Sequence, residues 1–187
     1  MNALEIPDGI AFDFVSMSHF IEHLQSRDEI IFVLNKAVTI ARKAIWISGP
    51  YFEADAYIRE YGVKFVWGDW QDHSSRYSVG TIMDWLGNQT FGIPSISLGF
   101  VAKDSEADQI VSLYERPNIG SYSTQGKIPK PQVVFPLPAP QEFLVLISRD
   151  PEFNASEAHY GRHGSKGMSL AEFAGSAADL TARRKYI

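Results

Sequence analysis

Three residues near the start of the chain have types and spacing that can do chemistry together. Within "AFDFVSMSHFIEHL", residues 11–24, His19, Glu22 and His23 are spaced H-x-x-E-H. On one long helix that spacing sets two imidazoles a turn apart to hold zinc, with the glutamate as general base of a peptidase. The surroundings argue for something shorter. An apolar run ends one or two residues before the motif, and Ser26 opens a new helix cap just after it. A third ligand would be needed, and many downstream carboxylates qualify, so no metal ligand is assigned. The zinc metallopeptidase stays as a minor alternative. The plainer reading makes His19 and His23 hydrogen-bonded polar residues at a strand end.

The elements that must position these residues follow from periodicity. Residues 10–17, "IAFDFVSM", read as a strand covered on both faces. Ser26 begins S-x-x-E, a capping box. Ile30, Ile31, Leu34, Val38 and Ala41 then recur at helical spacing, and Arg42 and Lys43 suit a helix C-terminus. "AIWIS", residues 44–48, is again a strand, stopped by Gly49-Pro50. Strand, helix and strand in this order predict a βαβ unit with parallel strands. Further on, helices are predicted over 54–61 and 78–86, and strands over 95–103 and 142–150. Residues 63–70 read as a brief strand or an aromatic loop. Six of the ten prolines lie between residues 117 and 140, so 115–141 reads as a long insertion between the last two strands. Residues 151–187 form a polar tail with a terminal helix predicted from a second S-x-x-E at Ser169.

Composition excludes several classes of function. The chain has 187 residues and no cysteine, which removes disulfides, thiolate catalysis and Cys-ligated metal centres. Its net charge of -5 gives no basic field for nucleic acid, and Arg183-Arg184-Lys185 reads as a solvated helix end. No apolar run approaches the roughly 20 residues of a membrane helix. The N-terminus lacks a basic, then apolar, secretory pattern. The expectation is a cytoplasmic protein with neither a nucleic-acid nor a membrane partner. Aromatic residues make up 13%, and Tyr51, Phe52, Phe65, Trp67 and Trp70 either pack a core or line a pocket.

Taken in order, Asn2-Ala3, Ile6-Pro7, Phe12-Asp13 with Val15, and Glu22-His23-Leu24 resemble a segment of the class I S-adenosylmethionine-dependent methyltransferases. "ARKAIWISGP" looks like that family's fifth strand and its exit. "DHSSRYSVGTIMDWL", with His73, Tyr77 and Ser78, resembles the entry to its next helix. The resemblance covers residues 2–105 and 142–150. It implies an α/β domain over 1–150: a partial Rossmann-like fold with a mostly parallel sheet of about four strands, flanking helices and a terminal antiparallel strand. It also implies methyl transfer from S-adenosylmethionine to an unknown acceptor, with the cofactor beyond the carboxyl ends of the strands. The implied cofactor-binding residues are Asn2, Ala3, Met17, Ser18 and His19. Asn2 stands where the family has an acid facing the adenine, and the stretch from Met17 to His19 would flank the methionyl part. His19, His23 and His73 would lie near the acceptor as catalytic bases. Asp13 would cap loop amides, and Glu22 would brace a neighbouring loop.

The resemblance starts midway through the family's pattern. No G-x-G occurs in the sequence, although the family's glycine-rich loop lets backbone approach the cofactor. The expectation is therefore a truncated methyltransferase-like chain, inactive alone and weak in cofactor binding. Strand 10–17 would lack its interior neighbour. Its bare edge invites a homodimer or a second chain, and so leaves room for a different function, a non-enzymatic interaction module.

Overall fold

The computed structural model describes residues 6–7, 9–89, 92–117 and 128–149, together with the backbone of 168–169. Strand β1 (Phe12–Ser18) leads through a single 3-10 turn, Ile21–His23, into helix α1 (Arg27–Ile40) and strand β2 (Ala41–Pro50). Helix α2 (Phe52–Arg59), the short strand β3 (Val63–Phe65) and helix α3 (Val79–Leu86) follow. The rest is strands: β4 (Ile93–Gly99), β5 (Ala102–Asp104), β6 (Ile110–Ser112), β7 (Val134–Ala139), β8 (Glu142–Ser148) and β9 (Met168–Ser169). No helix among the described residues is long and apolar enough to cross a membrane.

Local chemistry accounts for the helix starts. Ser26 Oγ accepts from the Glu29 amide at 3.2 Å, and Glu29 Oε2 reaches back to the Gln25 amide at 2.7 Å. The first satisfies a donor that the opening helical turn leaves orphaned, and the second ties the residue before the cap to the helix. Ser78 caps α3 the same way, accepting from the Thr81 amide at 3.1 Å. Ile30, Val33, Leu34, Ala37 and Ile40 form the buried stripe of α1.

The main sheet has the order β1-β2-β8-β4-β9. The β1–β2 pair is parallel, with Val15 opposite Ile45 and Met17 opposite Ile47, as the βαβ reading requires. The remaining pairings, β2–β8, β8–β4 and β4–β9, are antiparallel. The expected mostly parallel sheet is thus corrected to a mostly antiparallel one. The reason lies in insertion order. Strands β1, β2 and β4 do share a direction, but β8 returns from the long excursion, enters between β2 and β4, and runs against both. Two further ribbons, β3–β6 and β5–β7, stand apart from this sheet.

One face of the sheet carries Val15, Met17, Ile45, Ile47, Phe143, Val145 and Ile147. These join the buried residues of all three helices in the main core. The opposite face gathers a smaller cluster of Ala44, Leu144 and Leu146, with Trp46 and Phe100 against it. On that second face Phe12 and Phe14 are 47% and 61% exposed, and among the described residues β1 has β2 as its single strand neighbour.

Several boundaries differ from the sequence reading. The strand expected over 95–103 breaks in two because Phe100 takes a left-handed φ of 51°. The proline-rich 115–141 segment contains β7, in which Pro136 and Pro138 sit in a strand paired with β5 alone. An edge position tolerates the missing amides. Asp13 does not cap loop amides. Its carboxylate lies 2.8 Å from Lys43 Nζ and 3.7 Å from Arg42 Nε, and the Lys43 hydrogen bond holds its pKa below the ordinary value. Ser169, expected as a helix cap, belongs to β9, and the helix expected after it lies outside the described residues.

Candidate functional site

The chain leaves the carboxyl end of β1 at His19, whose φ of 47° turns the backbone sharply. Its amide still donates to the Ser48 carbonyl at 2.9 Å, so the turn stays tied to β2. The His19 ring then lies between two carboxylates. Nε2 is 3.0 Å from Glu142 Oε1, and Nδ1 is 3.4 Å from Glu22 Oε1. The Glu142 hydrogen bond, then Glu22, push the His19 pKa up to about 10, so the ring is an imidazolium at neutral pH.

The second wall comes from the loop that follows β3. It is pinned to the 3-10 turn by its backbone: the Ser75 amide donates to the Glu22 carbonyl at 3.0 Å, and His23 Nδ1 donates to the Asp72 carbonyl at 2.9 Å. These contacts bring His73 to Glu22 and His23 across fifty positions of sequence (73 − 23). His73 is 8% exposed and Glu22 is fully buried. Burial lowers the His73 pKa and keeps that ring neutral.

An ionic network holds the base of the loop. Asp69 accepts from Lys64 at 2.7 Å, Arg59 at 2.8 Å and Arg76 at 2.9 Å. Burial alone would raise the Asp69 pKa, but the three cations overcome it and hold the carboxyl well below the usual range. Asp55, itself buried, accepts from Arg59 at 2.7 Å and from the Phe65 amide at 2.9 Å. Gly68 is required here because a side chain would run into the Asp55 carboxylate.

Between the two walls lies a cleft of about 390 Å³ lined by His19, Trp67, Trp70, His73, Glu142 and their neighbours. The aromatic residues noted in the sequence divide between two roles. Trp67 and Trp70 face the cleft, whereas Phe65 is fully buried and stacks on Trp67 with ring centres 4.8 Å apart.

The sequence-predicted residues separate likewise. His19 and His73 share the cleft, and His23 lies beside His73 with ring centres 5.2 Å apart. Ser18 is exposed at the end of β1 and its Oγ accepts from Ser48 Oγ at 3.0 Å. Met17 is buried, and it lines a separate cavity of about 160 Å³ beside α1 with Val15, Phe20 and Val33. Asn2 and Ala3 lie outside the described residues. The long helix that a zinc peptidase needs is not formed, because Ile21–His23 is one 3-10 turn and His19 turns away from it toward Glu142. Glu142 was missed by sequence reasoning. It opens β8, and its only signal is that it precedes a run of apolar residues.

No family model matches the chain, and no curated protein matches it in sequence. Among solved structures it is similar to a SAM dependent methyltransferase from Archaeoglobus fulgidus, with a TM-score of 0.51 and 16% identity. The match covers 79% of this chain and 65% of that one, so this chain spans under two thirds of that structure's length. At this identity the likeness shows a shared α/β fold.

Proposed function

We propose that the chain is a methyltransferase-like protein that handles a methyl acceptor in the cleft beyond the carboxyl ends of β1 and β2. The observation that carries this reading is the position of the cleft. Open α/β sheets bind their ligands at that end of the strands, and the cleft lies there, lined by His19 and Pro50. Bound S-adenosylmethionine supplies a methyl group on a sulfonium. The described residues fit one side of such a cofactor: the Ser18 hydroxyl and the half-exposed His19 ring open at the end of β1. Met17 is turned into the core, so only its backbone is available there. The acceptor would rest against Trp67 and Trp70, held by Glu142 and His19 and with His73 beside its reacting atom. Such fixed placement is the larger part of what a protein adds to a methyl transfer.

Nuclear magnetic resonance with S-adenosylhomocysteine tests the assignment. The expected result is weak, millimolar-range binding that shifts the Ser18 and His19 signals, since the sequence has no glycine-rich G-x-G loop to grip the nucleotide. A folded protein whose Ser18 and His19 signals ignore the ligand at saturation would end the reading.

A second reading, an interaction module, is favoured by the exposed Phe12 and Phe14 on a strand that has one neighbour among the described residues. A second copy pairing along β1 would cover the strand edge left open among the described residues, and these rings with it.

A further inference from the structure

The turn after β1 and the loop after β3 bring together three side chains that each keep a ligand atom available. Glu22, His23 and His73 each offer one ligand atom, and these atoms lie within 4.8 Å of one another. Both Glu22 carboxylate oxygens are buried without a hydrogen bond, and so is His73 Nδ1. The 3.4 Å approach of His19 to Glu22 is an ion pair outside hydrogen-bond geometry. His19 meets this carboxylate from one side, but both of its oxygens still lack a hydrogen bond, which is costly for a fully buried group and leaves it able to accept a second cation. The two imidazoles are set to help. The Asp72 carbonyl can only accept, so His23 Nδ1 carries a proton and Nε2 is the ring atom through which a metal would be bound. The Trp67 backbone engages the His73 ring while Nδ1 stays unpartnered. The Tyr77 hydroxyl is buried and unpartnered as well. A methyl placed on Gly49 would lie 2.6 Å from it and 3.4 Å from Glu22 Oε2, which puts the hydroxyl and the carboxylate on one side of the same glycine.

We propose that Glu22, His23 and His73 form a binding site for a divalent transition-metal ion beside the cleft. Two imidazoles and one carboxylate suit Zn²⁺, Mn²⁺ or Fe²⁺, and three protein ligands leave positions open. Those positions take water or an oxygen atom of a molecule in the cleft. His19 supplies no ligand, because its Nε2 is engaged with Glu142. The proposal stands on these residues alone and does not depend on methyl transfer.

The test uses the full 187-residue protein, stripped with a chelator and titrated with Zn²⁺ by calorimetry and with Co²⁺ by visible absorption. The expected result is one equivalent of each ion, with a Co²⁺ spectrum of protein-ligated type. Changing His23→Ala, His73→Ala or the isosteric Glu22→Gln should each weaken Zn²⁺ binding by about 100-fold, while His19→Gln changes it by less than about tenfold. Circular dichroism establishes that each variant is folded before its titration counts. No ion taken up by folded wild-type protein overturns the proposal. Loss of binding in His19→Gln with retention in His73→Ala also overturns it, since His19 and His23 would then be the ligands. The resonance experiment with S-adenosylhomocysteine is indifferent to either outcome, so the two readings fail separately.

Discussion

Gly49 shows how closely this site is packed at the scale of one residue. A methyl group added there would lie 2.6 Å from the Tyr77 hydroxyl and 3.3 Å from Phe143 Cε1. Tyr77 cannot give way freely, since its ring packs edge-on against Phe52 and Phe143. Gly49→Ala is therefore expected to lower stability by about 2 kcal/mol, read as a shift in the denaturation midpoint at unchanged slope. An unchanged midpoint would mean that Tyr77 moves without cost. At this scale the sequence displayed the types and spacing of His19, Glu22 and His23, but not their geometry. The left-handed turn at His19 and the buried carboxylate of Glu22 depend on Ser48, Glu142 and the loop around His73, which are distant in the chain. Spacing carries information only inside one regular element, and here the motif straddles a turn.

At the scale of elements, the loop after β3 is held by side-chain ion pairs and by backbone hydrogen bonds to the turn after β1 rather than by a repeating backbone pattern. Its anchor is Asp69, 24% exposed, facing Lys64, which is 4% exposed. Asp69→Asn would leave Lys64 buried beside a neutral amide. The expected loss is about 2 kcal/mol, below that of a fully buried pair because water still reaches Asp69. Its pH dependence has a defined sign. The folded pKa is depressed, so the stabilisation is fully present above the unfolded value near 3.8 and is lost as pH falls through the lower folded pKa. Thermal melts of Asp69→Asn should lose this acid-range slope, and a variant that kept it would assign the slope to another group. Helix α1 was legible because Ser26 announces it with a cap, and α3 because Val79, Ile82 and Leu86 recur on one face, all three buried in the structure. The short strands β6 and β7 were not. Three residues hold too little periodicity, and prolines in β7 read as loop unless its edge position is known.

At the scale of the molecule, the exposed Phe12 and Phe14 of β1 give the proposed edge pairing a direct test. If copies pair there, the wild-type protein sediments as a concentration-dependent dimer. Phe14→Lys should then stay folded, with stability within about 0.5 kcal/mol, and sediment as a monomer. Wild-type protein that remains a monomer at every concentration would remove edge pairing as a role. The fold class was readable from the alternation of strands and helices, and the parallel β1–β2 pair came out as expected. The direction of the rest was not readable, because pairing depends on which strand lies between which, and β8 crosses more than forty residues after β4 to take its place (142 − 99).

That late arrival has a consequence for biosynthesis. Residues 142–148 supply the partner for both β2 and β4. Until they emerge from the ribosome, β1 and β2 exist as a two-stranded ribbon, which is marginal in water. Residues 99–142, the excursion between β4 and β8, must be made before these central hydrogen bonds can close. A nascent chain of this kind exposes the flanks of β2 and β4 until residues 142–148 are made.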